Sequence, residues 1–290
     1  MKEAILQEQL DQKQVRCHVC NLRCVIPPGK RGVCGVRENR NGILYALNHG
    51  KTIAAGIDPI EKKPLNHFLS GSWTYSFATV GCNMHCPWCQ NWQIAQGPKP
   101  QKPIEGVDIS PQEHVERAIQ HRCLSIAYTY SEPTIFIEYA LDTMKIAHEQ
   151  DLKNIWVSNG YMTTEALTEI LPWLDAANID YKGPDEGVYE AYCGGRAQDI
   201  MDNMVQMKAA GVHLEVTTLV IPGINDHENQ LQAMVDTIKE RLGTDVPWHI
   251  SRFYPAWQMR HVPVTPLETL RLAGRMAREA GIRHIHLGNI

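Results

Sequence analysis

The rhythm of apolar and polar positions changes near residue 70. Beyond it, short apolar runs recur at 74–79, 124–129, 154–158, 176–181, 213–220, 248–253 and 283–287, with stretches of helical periodicity between them. Strands alternating with helices of about 10–15 residues predict a parallel sheet. Six or seven such units predict an α/β fold, a partial or nearly closed (βα)6-type barrel. One helix start is marked in detail: Ser110-Pro111-Gln112-Glu113 offers an N-cap hydroxyl, a proline at the first helical position and a capping-box glutamate. Before residue 70 the pattern differs. Residues 1–14 read as a short polar helix, and 15–70 as a loop-and-hairpin segment punctuated by Gly and Pro, with alternation in GILYALNHG. The expected division is therefore a small N-terminal cysteine-rich, metal-binding module, 1–70, and a barrel core, 71–290. The Pro- and Lys-rich stretch 97–103 reads as a surface loop.

Composition changes this picture in one respect. The chain has 290 residues, 43% of them apolar, and a formal net charge of −4. Nothing in that balance calls for nucleic acid or a membrane surface as partner. No apolar run reaches the ~18 residues of a spanning helix, and MKEAILQEQLDQKQ lacks the apolar stretch of a secretory signal. A cytoplasmic location is the expectation, and there thiols stay reduced. Clustered cysteines then point to metal or redox chemistry rather than disulfides. Of nine cysteines, Cys17, Cys20, Cys24 and Cys34 form one group and Cys82, Cys86 and Cys89 another; Cys123 and Cys193 stand alone and read as ordinary residues.

The second group carries the sharper chemistry. Gly81-Cys82-Asn83-Met84-His85-Cys86-Pro87-Trp88-Cys89 follows the first predicted core strand, where a barrel places its active-site loops. Three thiolates from one loop can hold three corners of a cubane, whereas a closed [4Fe-4S] centre takes four. One iron is then left open for substrate, as at a catalytic zinc. On spacing alone a zinc loop completed by a distant ligand remains open. The first group has C-x2-C-x3-C-x9-C spacing, which closes one tetrahedral zinc or one cubane, and the sequence does not choose between them.

The loop GCNMHCPWCQN resembles the signature of the radical SAM superfamily. Within it the chain is similar to the pyruvate formate-lyase activating enzyme-like group, and to the radical SAM enzymes of the AmmeMemoRadiSam system. The match extends in order through CHVCNLRCVIPPGKRGVCGVREN, DPIEKKPLNHF, AYTYSEPTIFIEY, VSNGYMT, IDYKGPDE and EVTTLVIPGIND. The resemblance implies a [4Fe-4S] cluster on Cys82, Cys86 and Cys89 that reductively cleaves S-adenosyl-L-methionine to a 5′-deoxyadenosyl radical for hydrogen abstraction. It places Trp88 against the adenine, Glu132 at the methionine ammonium, Ser158, Asn159 and Gly160 at the ribose, and Asp180 and Lys182 at the cofactor, Lys182 near its carboxylate. Where relatives carry a Gly-Gly-Glu turn this chain has Ser131-Glu132-Pro133, so the atoms making the ammonium contact stay open. Glu215, Thr217, His249 and Arg252 are candidates to line the substrate pocket or finish the cofactor site. A flavodoxin or ferredoxin is the implied reductant, and glycyl-radical activation of a partner enzyme one implied outcome. Radical modification of a small molecule or of another protein side chain is the alternative, and a non-catalytic cysteine-rich scaffold or electron carrier a third reading. Relatives often continue into a C-terminal segment with further CxxC pairs, which is not found after His286-Leu287-Gly288-Asn289-Ile290.

Overall fold

The structure, a computed structural model, describes residues 1–98, 102–184 and 186–290. The middle of the 97–103 loop and Asp185 of the IDYKGPDE stretch lie outside the described residues. One eight-stranded sheet organises the chain: β1 (Ala54–Pro59), β2 (Trp73–Ala78), β3 (Ser125–Tyr128), β4 (Lys153–Ser158), β5 (Ala176–Asp180), β6 (His213–Val220), β7 (Trp248–Arg252) and β8 (Ile285–Gly288). The order is β8-β7-β6-β5-β4-β3-β2-β1. Strands β2 to β8 run parallel, and β1 pairs antiparallel with β2. β1 and β8 are the two edges, so the barrel is partial. Each predicted core strand is present, its ends within two residues of the expected ones.

Among the described residues, six α-helices of seven or more residues follow the strands: α1 (Pro111–Gln120), α2 (Ile137–Glu149), α3 (Thr164–Ile170), α4 (Ala197–Ala209), α5 (Glu228–Leu242) and α6 (Leu267–Glu279). The α1 capping box forms as the sequence predicts. Ser110 Oγ accepts from the Glu113 amide at 3.2 Å, and Glu113 Oε2 accepts from the Ser110 amide at 2.8 Å. α5 shows why these segments coil: Leu231, Met234, Val235, Ile238 and Leu242 recur at helical spacing and are all buried. Each such side chain contributes about 1.5–3 kcal/mol on burial.

The N-terminal region departs from expectation. Residues 1–14 are not a helix. Lys2–Glu3 pairs with Tyr45 and Ala46, Gln7–Gln9 pairs with Val15–Cys17, and only Asp11–Lys13 makes a 3-10 turn. Leu6, Gln12 and Lys13 have positive φ, which interrupts any helix. An isolated helix of this length is marginal in water, and the nearby hairpins supply strand partners instead. The hairpins themselves are present: Val15–Cys17 pairs with Val25–Ile26, and Arg37–Arg40 with Ile43–Ala46.

The sheet also reaches back into residues 1–70, because β1 is part of it. The chain after β1 then crosses the inner face near the starts of the strands. Ile60 and Leu65 pack on Ala127, Ile155 and Ala176. Asn178 Nδ2 donates to the Pro64 carbonyl at 2.8 Å. Buried Glu215 accepts from the amides of Asn66 (3.1 Å) and His67 (2.8 Å) and pairs with His249 Nε2 at 2.6 Å. His67 Nε2 meets His286 Nε2 at 2.8 Å. Residues 60–69 thus stopper the base of the barrel. Asp58 anchors their start, accepting from Lys62 (2.7 Å), Lys63 (2.6 Å) and Tyr130 Oη (2.5 Å).

Candidate active site at the barrel mouth

The 82–89 loop follows the C-terminal end of β2, opposite the stopper. Its path is set by close backbone packing. Gly81 has φ +107°, and a Cβ there would lie 2.8 Å from the Cys34 carbonyl oxygen. Only glycine lets the two cysteine-bearing loops touch. Asn83 Nδ2 donates to the Tyr161 carbonyl (3.1 Å), Gln96 Nε2 to the Met84 carbonyl (2.9 Å) and the His85 amide to the Cys193 carbonyl (3.1 Å). The loop is therefore held by the ends of β4 and β5 as well as by its own strand.

The three sulfurs sit among donors. The Met84 amide reaches Cys82 Sγ at 3.3 Å, Asn159 Nδ2 stands 3.8 Å from the same sulfur, and the Asn91 amide bonds Cys89. Burial raises the Cys82 thiol, with the Glu132 charge adding to it, and lifts Cys89 to about 11. Cys86 is drawn the other way. The Cys193 thiol hydrogen-bonds it, and the Lys182 charge favours its thiolate. Burial opposes the Lys182 ammonium, but Asp180 and Cys86 outweigh it and hold its pKa well above the ordinary value. Lys182 Nζ donates to Asp180 Oδ2 at 2.8 Å, the lysine nearly buried and the aspartate side chain about half exposed at the mouth. The Lys182 backbone is fixed on both sides, its amide bonded to Tyr189 Oη and its carbonyl to Asn225 Nδ2, each at 2.8 Å.

Glu132 is the brace between β3 and β4. Its carboxylate accepts from the Thr134 amide (3.0 Å), Thr134 Oγ1 (2.6 Å), Ser158 Oγ (2.7 Å) and the Asn159 amide (2.9 Å). Burial raises its pKa against these bonds. Four donors use the acceptor capacity of a carboxylate, so an ammonium here has to displace one of them. Asn159 turns its carboxamide to Asn83 Oδ1 (2.8 Å) and Cys82. Gly160 has φ +72°, with Ile179 Cγ2 2.8 Å from where a Cβ would stand. Trp88 is buried, its ring 5.8 Å from that of Tyr192.

The cluster and cofactor candidates thus gather from the ends of β2, β3, β4 and β5, whereas the four further residues lie on β6 and β7. Glu215 and His249 sit near the starts of β6 and β7 and pin the stopper, away from the mouth. Their contacts show this: Glu215 takes the amides of Asn66 and His67, and His249 bonds Glu215 and stacks on His286. Thr217 Oγ1 donates to Asn178 Oδ1 at 2.9 Å, and Arg252 Nε to the Thr265 carbonyl at 2.7 Å. Sequence reasoning missed Cys193, which closes a π-helical turn, Tyr189–Cys193, against Cys86. The local signal was the Gly194-Gly195 pair beside it, Gly194 being left-handed. Asn83 and Asn225 were visible only as members of the three-cysteine loop and of the 221–226 loop, a candidate pocket lining, because their amides carry no spacing signal.

The pattern that defines the radical SAM superfamily matches residues 77–235. The chain belongs to the radical SAM superfamily. It is 41% identical to an uncharacterized protein of Methanocaldococcus jannaschii over all of this chain and 86% of that one. An isethionate sulfite-lyase activating enzyme of Nitratidesulfovibrio vulgaris is 27% identical over 41% of this chain and 40% of its own. The fold matches that of a radical SAM methyltransferase from Sphaerobacter thermophilus, with TM-score 0.58 at 13% identity, over 77% of this chain and 68% of that structure. Radical SAM proteins are enzymes of radical chemistry that use a [4Fe-4S] cluster and S-adenosylmethionine, and this radical SAM chain has the matching donor set. Three thiols come from one loop, with amides aimed at Cys82 and Cys89 and a cation beside Cys86. No helix among the described residues is long and apolar enough to cross a membrane.

Proposed function

We propose that Cys82, Cys86 and Cys89 hold the catalytic [4Fe-4S] cluster with one iron free for S-adenosylmethionine. We further propose that Trp88, Glu132, Ser158, Asn159, Gly160, Asp180 and Lys182 form the cofactor's bed. The observation that carries this reading is the meeting of the loop with Asn159 from the end of β4 and Lys182 from the end of β5. When bound, this pair of groups supplies hydrogen-atom abstraction by an adenosyl radical.

The chain's own residues orient and shield. Lys182 stays protonated and offers N–H donors suited to a carboxylate. Asp180, half exposed, suits an ammonium or a hydroxyl. Glu132 fixes the relative position of Ser158 and Asn159 and through them the wall beside Cys82. The buried Trp88 supplies an apolar surface for an adenine ring. A flavodoxin or ferredoxin delivers the electron. The product step is glycyl-radical formation on a partner enzyme, a reading supported by the likeness to an activating enzyme.

The test has two stages. Anaerobically reconstituted protein with dithionite and S-adenosylmethionine is expected to release 5′-deoxyadenosine, and Cys86→Ala to release none. Colourless protein that leaves S-adenosylmethionine intact overturns the cluster assignment. Electron paramagnetic resonance of candidate partners then reads the product step; a carbon radical elsewhere than on glycine, or label transfer to a small molecule, overturns the glycyl assignment alone.

A further inference from the structure

The four N-terminal cysteines play no part in the chemistry above, yet they line a single cavity. Cys17, Cys20, Cys24 and Cys34 wall it together with Arg37 and Ile135. Two hairpins and two tight turns bring them there. The Cys17 amide bonds the Cys24 carbonyl (3.0 Å), and the Arg23 amide bonds the Cys20 carbonyl (3.0 Å). The Gly35 amide bonds the Gly32 carbonyl (2.9 Å), closing the turn that carries Cys34.

Arg37 is the observation that ordinary packing does not explain. It is 2% exposed. Nη2 donates to Glu138 Oε2 at 2.6 Å, but Nε and Nη1 are buried and have no partner. A buried donor left unmade keeps its full desolvation penalty, and native structures pair such groups. The guanidinium lines the same cavity as the four thiols, where an acceptor would complete its bonding and an anionic one would do so best. The sulfurs are treated as acceptors by the backbone as well. The amide of Val19 bonds Cys17, that of Leu22 bonds Cys20 and that of Val36 bonds Cys34. The catalytic loop has the same two-residue step, Met84 to Cys82 and Asn91 to Cys89.

We propose that Cys17, Cys20, Cys24 and Cys34 bind a second metal centre, closed by four thiolates, with Arg37 as its buried counter-cation and N–H donor. A tetrathiolate zinc ion and a tetrathiolate [4Fe-4S] cluster share this chemistry, for both are doubly negative and both present sulfur to the guanidinium. Among the described residues no three His, Cys, Asp or Glu side chains converge as ligands of one ion must. A cluster takes the sulfurs at separate corners, whereas zinc requires them to draw together. The proposal does not depend on the catalytic assignment, because it concerns a different set of thiols.

The experiment is metal analysis of the full chain carrying Cys82→Ala, Cys86→Ala and Cys89→Ala together. After anaerobic purification and reconstitution, this protein is expected to keep either about four iron with about four sulfide or about one zinc per chain. Iron and sulfide identify the cluster, and zinc in a colourless protein identifies the single ion. Adding Cys20→Ser and Cys34→Ser is expected to remove that metal. A triple variant without stoichiometric metal, or metal that survives the added Cys20→Ser and Cys34→Ser changes, overturns the proposal. Arg37→Gln in the triple background tests the counter-cation. Extraction of the metal by a chelator is expected to be at least about tenfold faster, with Arg37→Lys restoring part of the difference. Equal extraction rates in all three proteins overturn the role of Arg37, and a variant that fails to fold is replaced by Glu138→Gln, which frees Arg37 toward the sulfurs and is expected to slow extraction.

Discussion

The two cysteine groups lie back to back at Gly81 and are built on opposite plans. The N-terminal group hangs on short hairpins outside the main sheet, with four thiols around a cavity and a buried arginine among them. The loop at the mouth has three thiols of its own and is braced by three strand ends of the barrel. On the readings proposed above, the first plan would surround its centre with ligands and one buried cation, and the second would keep a side open and spend rigid structure on what stands beside that side. A closed centre draws its ligands from one short stretch of chain, whereas an open one needs neighbours whose positions are fixed by distant sequence.

The largest effect that tests this contrast is Cys86→Ala. It is expected to reduce 5′-deoxyadenosine release to background while any metal on the N-terminal group stays at its parent level. Joint loss of both metals would break the comparison. Next is Glu132→Ala, which strands four buried donors on three residues, Thr134, Ser158 and Asn159. It is expected to destabilise the fold by about 3–5 kcal/mol and to lower iron at the mouth. Chemical denaturation and iron analysis check it, and Glu132→Gln should lose less than half as much. Gly160→Ala comes third. Its φ of +72° and the 2.8 Å approach to Ile179 predict a cost of about 2–3 kcal/mol, together with weaker S-adenosylmethionine binding by calorimetry.

The smallest effect per step is a titration. His114 is fully buried between Tyr75, Tyr139 and Thr52, and burial pulls its pKa down to about 3. The unfolded chain takes up that proton first, near pH 6.5. The His114 contribution is therefore whole above about pH 6.5 and is lost on acidification, by about 1.4 kcal/mol per pH unit, until the folded group itself titrates. Denaturation at about pH 7 and about pH 5 should show a smaller pH dependence in His114→Gln than in the parent. An unchanged slope would show that His114 titrates in the folded protein where it does in the unfolded chain.

The barrel was legible because its parallel strands are short apolar runs separated by stretches of helical periodicity. Ser110 and Glu113 state one helix boundary outright. The three-cysteine loop was legible because its ligands are adjacent in sequence. Legibility ended where partners are remote. The first fourteen residues fold as strands because Ala46 and Cys17 pair with them, and polar composition alone cannot show that. Glu215 and His249 looked like pocket residues, but they stand third and second on their strands, where Glu215 takes the amides of Asn66 and His67, and this sends them to the stopper. Cys193 lies over a hundred residues beyond Cys86 in the chain, so no local spacing announced their contact.

The stopper at 60–69 has a consequence for traffic. On the proposed function, a vessel corked at its foot by Asn66 and His67 takes its cargo from the opposite rim. The molecule to be altered and the spent nucleoside would both pass Asp180, and a bulky body would be admitted only by a slender projection.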